Sequence, residues 1–189
     1  MKDQGVVRKG DLLFIQYSQE RAARSMKSLR LRVFPDPVLR EETLDVSEFG
    51  EDLKDLVAEM VRLMRENDGV GLAAPQAGVL QRIAVVLYEE KLHVLINPVL
   101  LSSEGEQEGE EGCLSFPGIF GNVRRPHRIT VRHRDLEGNE HDTTVESFLA
   151  RAFMHEMDHL NGRLLIDHFS PMKRTMARKK LLRERQAEG

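Results

Sequence analysis

Two histidines four residues apart with a glutamate between them, in His155-Glu156-Met157-Asp158-His159, are the side chains of this chain best suited to chemistry. On an α-helix, positions i and i+4 lie on one face, one turn apart. Two imidazoles placed that way can hold a single metal ion, and Glu156 beside them can move a proton. The same spacing also arises on ordinary helices, where the histidines are plain surface or core residues. Here Phe148, Leu149, Ala152, Phe153 and Leu160 make the surrounding segment apolar on one side, which turns the histidines inward. A buried imidazole pair with no partner is costly.

A catalytic metal needs a third protein ligand and an open position. The metzincin pattern would put histidine at position 165, but the chain has Leu165 there, although Gly162 is in place. A downstream glutamate could come only from Glu184 or Glu188 in a basic tail. The remaining candidate lies upstream. Cys113 is the only cysteine, in the stretch EEGCLSFPG from Glu110 to Gly118. A lone cysteine commonly serves as a small apolar packing residue. Flanked by Gly112 and Leu114, 42 positions before His155, it can instead complete a Cys/His/His set. It cannot form an internal disulfide, which suits a reducing compartment.

A third segment, GVGLAAPQAG from Gly69 to Gly78, superficially matches a dinucleotide fingerprint through Gly69, Gly71 and Ala74. That fingerprint follows a strand, whereas a helix precedes this one, and the P-loop lysine is absent, so no nucleotide cofactor is expected. Two readings stay open: an ordinary glycine turn, or small residues that let backbone approach a substrate, with the Gln76 amide as a donor.

The elements that must position these residues follow from periodicity. Leu53, Leu56, Val57, Met60, Val61 and Met64 predict an amphipathic helix over 51–68, stopped by Asn67-Asp68-Gly69. Strands are expected at 82–88, 93–101 and 129–135, the last leading through Gly138-Asn139 into a further strand, HDTTVES. The acidic run 103–111 reads as a loop, and Val33–Glu41, with two prolines, as an extended arm or turn. A second helix spans 146–160, and a basic one 171 to about 186. The sum is an α+β fold: antiparallel strands around a central HExxH helix, an N-terminal amphipathic helix and a C-terminal helix. The 189 residues fit one catalytic domain, 26–170, preceded by an extension, 1–25, and followed by the basic helix, 171–189.

Composition narrows the class. No apolar run is long enough to span a bilayer, so no membrane association is expected. The net charge of −3 conceals eight Lys/Arg against three Asp/Glu in residues 1–32, and seven against two in 172–189. An acidic body with basic ends hints at a polyanionic neighbour, though a solvated surface explains it as well. Residues 1–25 show no signal-peptide pattern, and Asp3, Asp11 and Glu20 argue against a transit peptide. A cytoplasmic protein is expected, or an organellar one if that segment is a transit sequence, with Met26 as an alternative start.

Taken together, GVGLAAPQ (69–76), EGCLS (111–115) and HEMDHLNG (155–162) resemble, in that order, the three signature motifs of peptide deformylase. LRVFPDPVLR (31–40) is similar to the start of that family's domain, and the likeness spans roughly 29–170. Met154 departs from it, standing where many members carry glutamine. The resemblance implies hydrolytic removal of the formyl group from formyl-methionine at the start of nascent polypeptides. It implies one divalent metal, Fe(II) foremost with zinc, nickel or cobalt able to replace it, held by Cys113, His155 and His159. Glu156 would be the acid/base, and Gln76 with the Leu114 N–H would hold the formyl oxygen. A metal brings the pKa of a coordinated water down to about 7, which supplies the nucleophile. Val70, Phe148 and Ala152 are expected to wall a methionine pocket, with Gly71 keeping the site narrow. Glu111 and Arg125 are expected to brace the cysteine loop, and Asp158 to support the helix without binding metal. In this family a C-terminal helix can dock on the ribosome, which makes the basic tail a candidate RNA contact.

The alternative is a zincin-type endopeptidase that uses the helix without Cys113. Cys113→Ser separates the two: deformylation of a formyl-methionyl peptide is expected to collapse, whereas an endopeptidase would keep cleaving internal peptide bonds.

Overall fold

The computed structural model describes residues 29–188. The expected extension 1–25 and the alternative start Met26 lie outside the described residues. Helix α1 covers Glu51–Glu66, and its Leu53, Val57, Met60, Val61 and Met64 are buried at three- and four-residue steps. Glu51 and Asp52 in its first turn and Arg65 in its last complement the helix dipole. At its end, the Asn67 side chain donates to Leu63 O (2.8 Å) and the Gly69 N–H to Met64 O (2.9 Å).

Seven strands follow: β1 (Gly71–Ala73), β2 (Ile83–Tyr88), β3 (Lys91–Glu104), β4 (Gln107–Gly112), β5 (Phe120–Arg125), β6 (Arg128–Arg134) and β7 (Glu140–Glu146). Five form one sheet in the order β1-β2-β3-β6-β7, every neighbouring pair antiparallel. The other two, β4 and β5, make a separate two-stranded ribbon. Helices α2 (Ser147–Leu160) and α3 (Pro171–Glu188) complete the α+β fold.

The sheet is buried on both faces at its β1–β2 side, whereas β6 and β7 keep one face exposed. Ile83 and Val85 of β2 join the α1 residues in one apolar cluster, while Ala84 and Val86 join Ala150, Phe153, Met157 and Leu160 of α2 in another. The two-residue period of a strand sends alternate side chains to opposite helices. The HEMDH helix α2, expected at the centre of the strands, thus lies on one face of the main sheet. Among the described residues, no helix is long and apolar enough to cross a membrane.

One expected loop needs correction. The acidic run 103–111 is not a loop: β3 continues to Glu104, and β4 starts at Gln107 and pairs with β5. Exposure in β4 alternates, but the inward positions are Gln107, Gly109 and Glu111, so hydrophobicity carries no trace of the strand. The glycine motif, for which two readings stayed open, supplies strand β1 and then a 3-10 turn, Ala74–Ala77. Within 33–41 the chain forms a 3-10 turn, Pro37–Arg40, whose start is capped by the Asp36 carboxylate accepting from Val38 N–H (3.1 Å).

The tail helix is docked. Ala177 and Leu181 are buried in a cluster with Phe116 and Ile119, beside the cysteine loop. Arg174 donates to the carbonyls of Ile166 (3.0 Å) and Asp167 (2.8 Å), and Lys180 to that of Gly118 (3.0 Å).

The β6–β7 turn closes around Asp135. Its carboxylate accepts from the N–H groups of Glu137 (3.0 Å) and Asn139 (2.9 Å), from the Asn139 side chain (3.0 Å) and from His141 Nε2 (2.8 Å). Burial alone would raise its pKa, but those bonds outweigh it and hold the group at about 2, below its ordinary 3.8. A carboxyl depressed on folding stabilises the protein above its unfolded pKa, and the stabilisation fades as pH falls through the folded one. Asp135→Ala is therefore expected to cost about 1 kcal/mol at pH 7, a solvent-screened hydrogen-bond value. The gap to wild type should close between about pH 4 and pH 2, measured by urea unfolding at each pH.

Candidate metal centre

Cys113 and the two histidines of α2 meet. The Cys113 sulfur and one ring nitrogen from each of His155 and His159 all lie within 4.8 Å of one another. Cys113 Sγ stands 3.2 Å from His159 Nε2, and the two rings are edge to face with centroids 5.1 Å apart. Both histidines are buried, and the cysteine is half-buried. Helical spacing delivers the imidazoles side by side, and the loop after β4 brings the sulfur across to them.

The donor set suits a small divalent cation. One sulfur and two imidazole nitrogens satisfy three corners of a tetrahedron and leave the fourth for solvent or substrate. Among the described residues, His159 Nδ1 and Glu156 Oε2 are buried without hydrogen-bond partners. A buried unpartnered carboxylate oxygen is available to a proton on a bound molecule. The Cys113 sulfur and the Glu111 carboxylate together hold a proton on His155 against its burial, and that negative environment equally favours a cation.

Glu156 is almost fully buried, and burial pushes its carboxyl up to about 7, with the neighbouring Glu111 charge adding to the effect. A carboxyl at that value accepts and returns a proton near neutral pH. Its position depends on Gly71: a Cβ added there would lie 2.3 Å from Glu156 Oε1 and 2.8 Å from Cδ. Likewise, a Cβ on Gly69 would meet Leu114 Cδ1 at 2.6 Å. The glycines of the first motif are therefore close-approach glycines.

Gln76 is buried at the inner wall. Its Oε1 accepts from Ala73 N–H (2.8 Å), and its Nε2 donates to Ser115 Oγ (3.2 Å) and, more weakly, to Cys113 Sγ (3.5 Å). The first motif is thus tied directly to the second. Val70, Gly71, Gln76, Cys113, Leu114, Phe148, Ala152, His155 and Glu156 all line one groove of about 710 Å³, while His159 sits behind its wall. Val70 and Phe148 are on the open side, 41% and 44% exposed, and Phe148 leans on Tyr88 with ring centroids 5.1 Å apart.

The expected Glu111–Arg125 pair is present and buried, with Arg125 Nε and Nη2 each 3.0 Å from a Glu111 oxygen. The pair extends further than the sequence indicates. Glu111 Oε2 lies 3.0 Å from His155 Nδ1, which leaves the ring's other nitrogen to face the sulfur. Burial would raise the Glu111 carboxyl, but hydrogen bonds from His155 and Arg125 hold it at about 2. Asp158 accepts from Arg125 Nη1 (2.6 Å) and His168 Nε2 (2.8 Å), so it supports the helix from outside the metal-binding group. Arg151, Phe120, Pro117, Leu31 and Val33 also line the groove and escaped the sequence reading. None is a defining position of the three motifs; the N-terminal arm reaches the site through Arg32 N–H to Gln76 O (2.7 Å) and Phe34 N–H to Ser115 O (3.0 Å).

A five-stranded antiparallel sheet carrying an HExxH helix, with the cysteine that follows a separate ribbon beside its histidine pair, is the architecture of a metal-dependent hydrolase. The sequence matches the family described as polypeptide deformylase over residues 28–175. A peptide deformylase of Thermotoga maritima is 47% identical over 154 residues, covering 81% of this chain and 94% of that protein. One from Endomicrobium trichonymphae is 41% identical over 165 residues, covering 86% and 98%. The crystal structure of a peptide deformylase from Legionella pneumophila superposes with a TM-score of 0.81 at 40% identity, covering 86% of this chain and 98% of that one. The chain belongs to the peptide deformylase family.

Gly71→Ala is expected to displace the Glu156 carboxylate while leaving the fold intact. A shift of about 1 Å in a reacting group costs on the order of 100-fold in rate. The check is kcat on a formyl-methionyl peptide, with circular dichroism to confirm that the variant folds.

Proposed function

We propose that this groove hydrolyses the N-terminal formyl group from formyl-methionyl nascent polypeptides, with residues 26–170 as the catalytic domain and 171–189 as its attached basic helix. The observation that carries the reading is the convergence of Cys113, His155 and His159 within 4.8 Å, beside a buried Glu156. Those three residues would hold the metal. Once bound, a divalent ion supplies Lewis acidity and a water of pKa about 7. Iron(II) is the leading assignment, and zinc, nickel or cobalt suit the same sulfur and nitrogen donors.

Glu156 takes a proton from the attacking water and delivers it to the leaving amine of methionine. The Leu114 N–H and Gln76 Nε2 stabilise the formyl oxygen as it becomes negative, Gln76 by giving up its 3.5 Å contact with the sulfur. One such donor is worth about 3–4 kcal/mol in the transition state. Gly71, with Glu156 pressed against it, leaves room for a formyl hydrogen and excludes bulkier acyl groups. Val70, Phe148 and Ala152 give the methionine side chain an apolar wall. An endopeptidase using the helix alone is disfavoured, because it leaves the sulfur beside the two imidazoles without a role.

A cytoplasmic setting in a bacterium is supported by the bacterial relatives named above. Ribosome contact through α3 rests on fewer charges than the sequence suggests. Lys173 lies over the Phe169 ring and Arg178 over Phe34, while Arg174 and Lys180 bind backbone carbonyls. Lys179 and Arg183 make none of these contacts and are exposed, as are Lys173, Arg178 and Lys180, and together they supply the outward charge for RNA.

Anaerobic purification is expected to yield one equivalent of metal, predominantly iron. The protein should then deformylate formyl-Met-Ala-Ser and leave acetyl-Met-Ala-Ser intact, and air should inactivate it by oxidising metal or sulfur. Glu156→Gln should retain the metal by elemental analysis and lose roughly 100- to 10,000-fold in kcat. Metal-loaded protein inert toward the formyl peptide would refute the assignment.

A further inference from the structure

The sulfur and the imidazoles reach the metal site on different bodies. Helix α2 is fixed to the main sheet by Ala150, Phe153, Met157 and Leu160. Cys113 follows β4, which belongs to the ribbon and makes no ladder with that sheet. The sequence of β4, QEGEEG, offers no apolar side chain, and Val123 of β5 packs in a different cluster from α2. The apolar residues of ribbon and helix therefore do not pack on one another: the ribbon's apolar contact is with Leu164, Leu165 and Ile166, just past the helix, and the direct links between ribbon and helix are polar.

Arg151 is the helix's contribution to that spacing. Its buried guanidinium places Nη1 3.2 Å from Gly109 O on β4, 3.0 Å from Val123 O on β5 and 3.0 Å from Glu111 Oε1. It stands one helical turn before His155, on the same face. Both residues contact the same carboxylate: Arg151 at Oε1 and His155 Nδ1 at Oε2. Arg125 crosses the junction in the opposite direction, from β5 to Asp158 of the helix. Gly109 permits the approach, since a Cβ there would lie 3.0 Å from Arg151 Nη2.

We propose that Arg151 is a positioning residue that pins the cysteine-bearing ribbon to the metal-binding helix and fixes the Glu111 carboxylate that orients His155. It acts through these groups and not on the reacting atoms. The inference rests on the metal site proposed above.

The test uses full-length protein loaded with cobalt(II), whose sulfur-to-metal absorption band reports the Cys113 bond directly. Loss of the band is timed after addition of excess EDTA. Wild type must show the band and Cys113→Ser must lack it; failure there refutes the metal site itself. With the band established, Arg151→Met is expected to release cobalt roughly 10- to 100-fold faster, the usual effect of losing an outer-shell partner of a ligand. Arg151→Lys keeps the charge but not the fork, so it should fall between the two and serves alone if the methionine variant does not fold. Asp135→Ala, in the distant β6–β7 turn, should release cobalt at the wild-type rate despite its loss of stability. Wild-type release from every folded Arg151 variant overturns the proposal. Equally fast release from Asp135→Ala does so too, because general instability would then explain the effect. A raised KM with unchanged cobalt release would assign Arg151 to the peptide instead and also overturn it.

Discussion

Charge burial is the constraint on which this structure turns. Bringing one sulfur and two imidazoles together away from solvent requires the groups that orient them to be buried as well, and an uncompensated buried charge costs several kcal/mol. The compensation is stoichiometric: Arg125 and Arg151 face Glu111 and Asp158, with side chains 3% and 9% exposed for the two arginines and 4% and 11% for the two acids. Glu111 is the centre of the arrangement, because both arginines and His155 bind it. Ion pairs of this kind add little net stability compared with apolar packing. What they supply is geometry, since each hydrogen bond has a direction that a hydrophobic contact lacks.

Glu156 is the deliberate exception. It shares the same interior but has no arginine, and its Oε2 has no partner among the described residues. Burial outweighs the opposing charges of His155 and Arg125, and its carboxyl rises to about 7, whereas paired Glu111 falls to about 2. Two carboxylates of one site are driven apart by their partners, one toward proton transfer and the other toward permanent charge. The glycines serve the same end. Gly71 and Gly69 let β1 and its approach lie against Glu156 and Leu114.

The chain's chemistry was more legible than its architecture. His155, Glu156 and His159 could be read from helical spacing, and Cys113 from being the only cysteine, next to a glycine. Helices α1 and α2 and strands β2, β3, β6 and β7 followed from apolar periodicity, within a few residues at each end. Strands β4 and β5 did not. Their inward positions include Gln107, Gly109, Glu111, Gly121 and Arg125, so a pattern search tuned to hydrophobicity sees an acidic loop. Arg151 was hidden for a related reason: on a helix judged by its apolar face, an arginine counts as solvated until a carboxylate from another element is found against it.

The sequence by itself determined the ligand types, the helical register that pairs the imidazoles, and the family to which the motifs belong, because these depend on residue identity and local spacing. Only the tertiary structure decided that the sulfur lies 3.2 Å from His159, that Glu111 meets His155, and that two arginines join ribbon to helix. Those contacts link residues up to 46 positions apart, and their strength comes from a shared dry interior that exists only once the layers have packed.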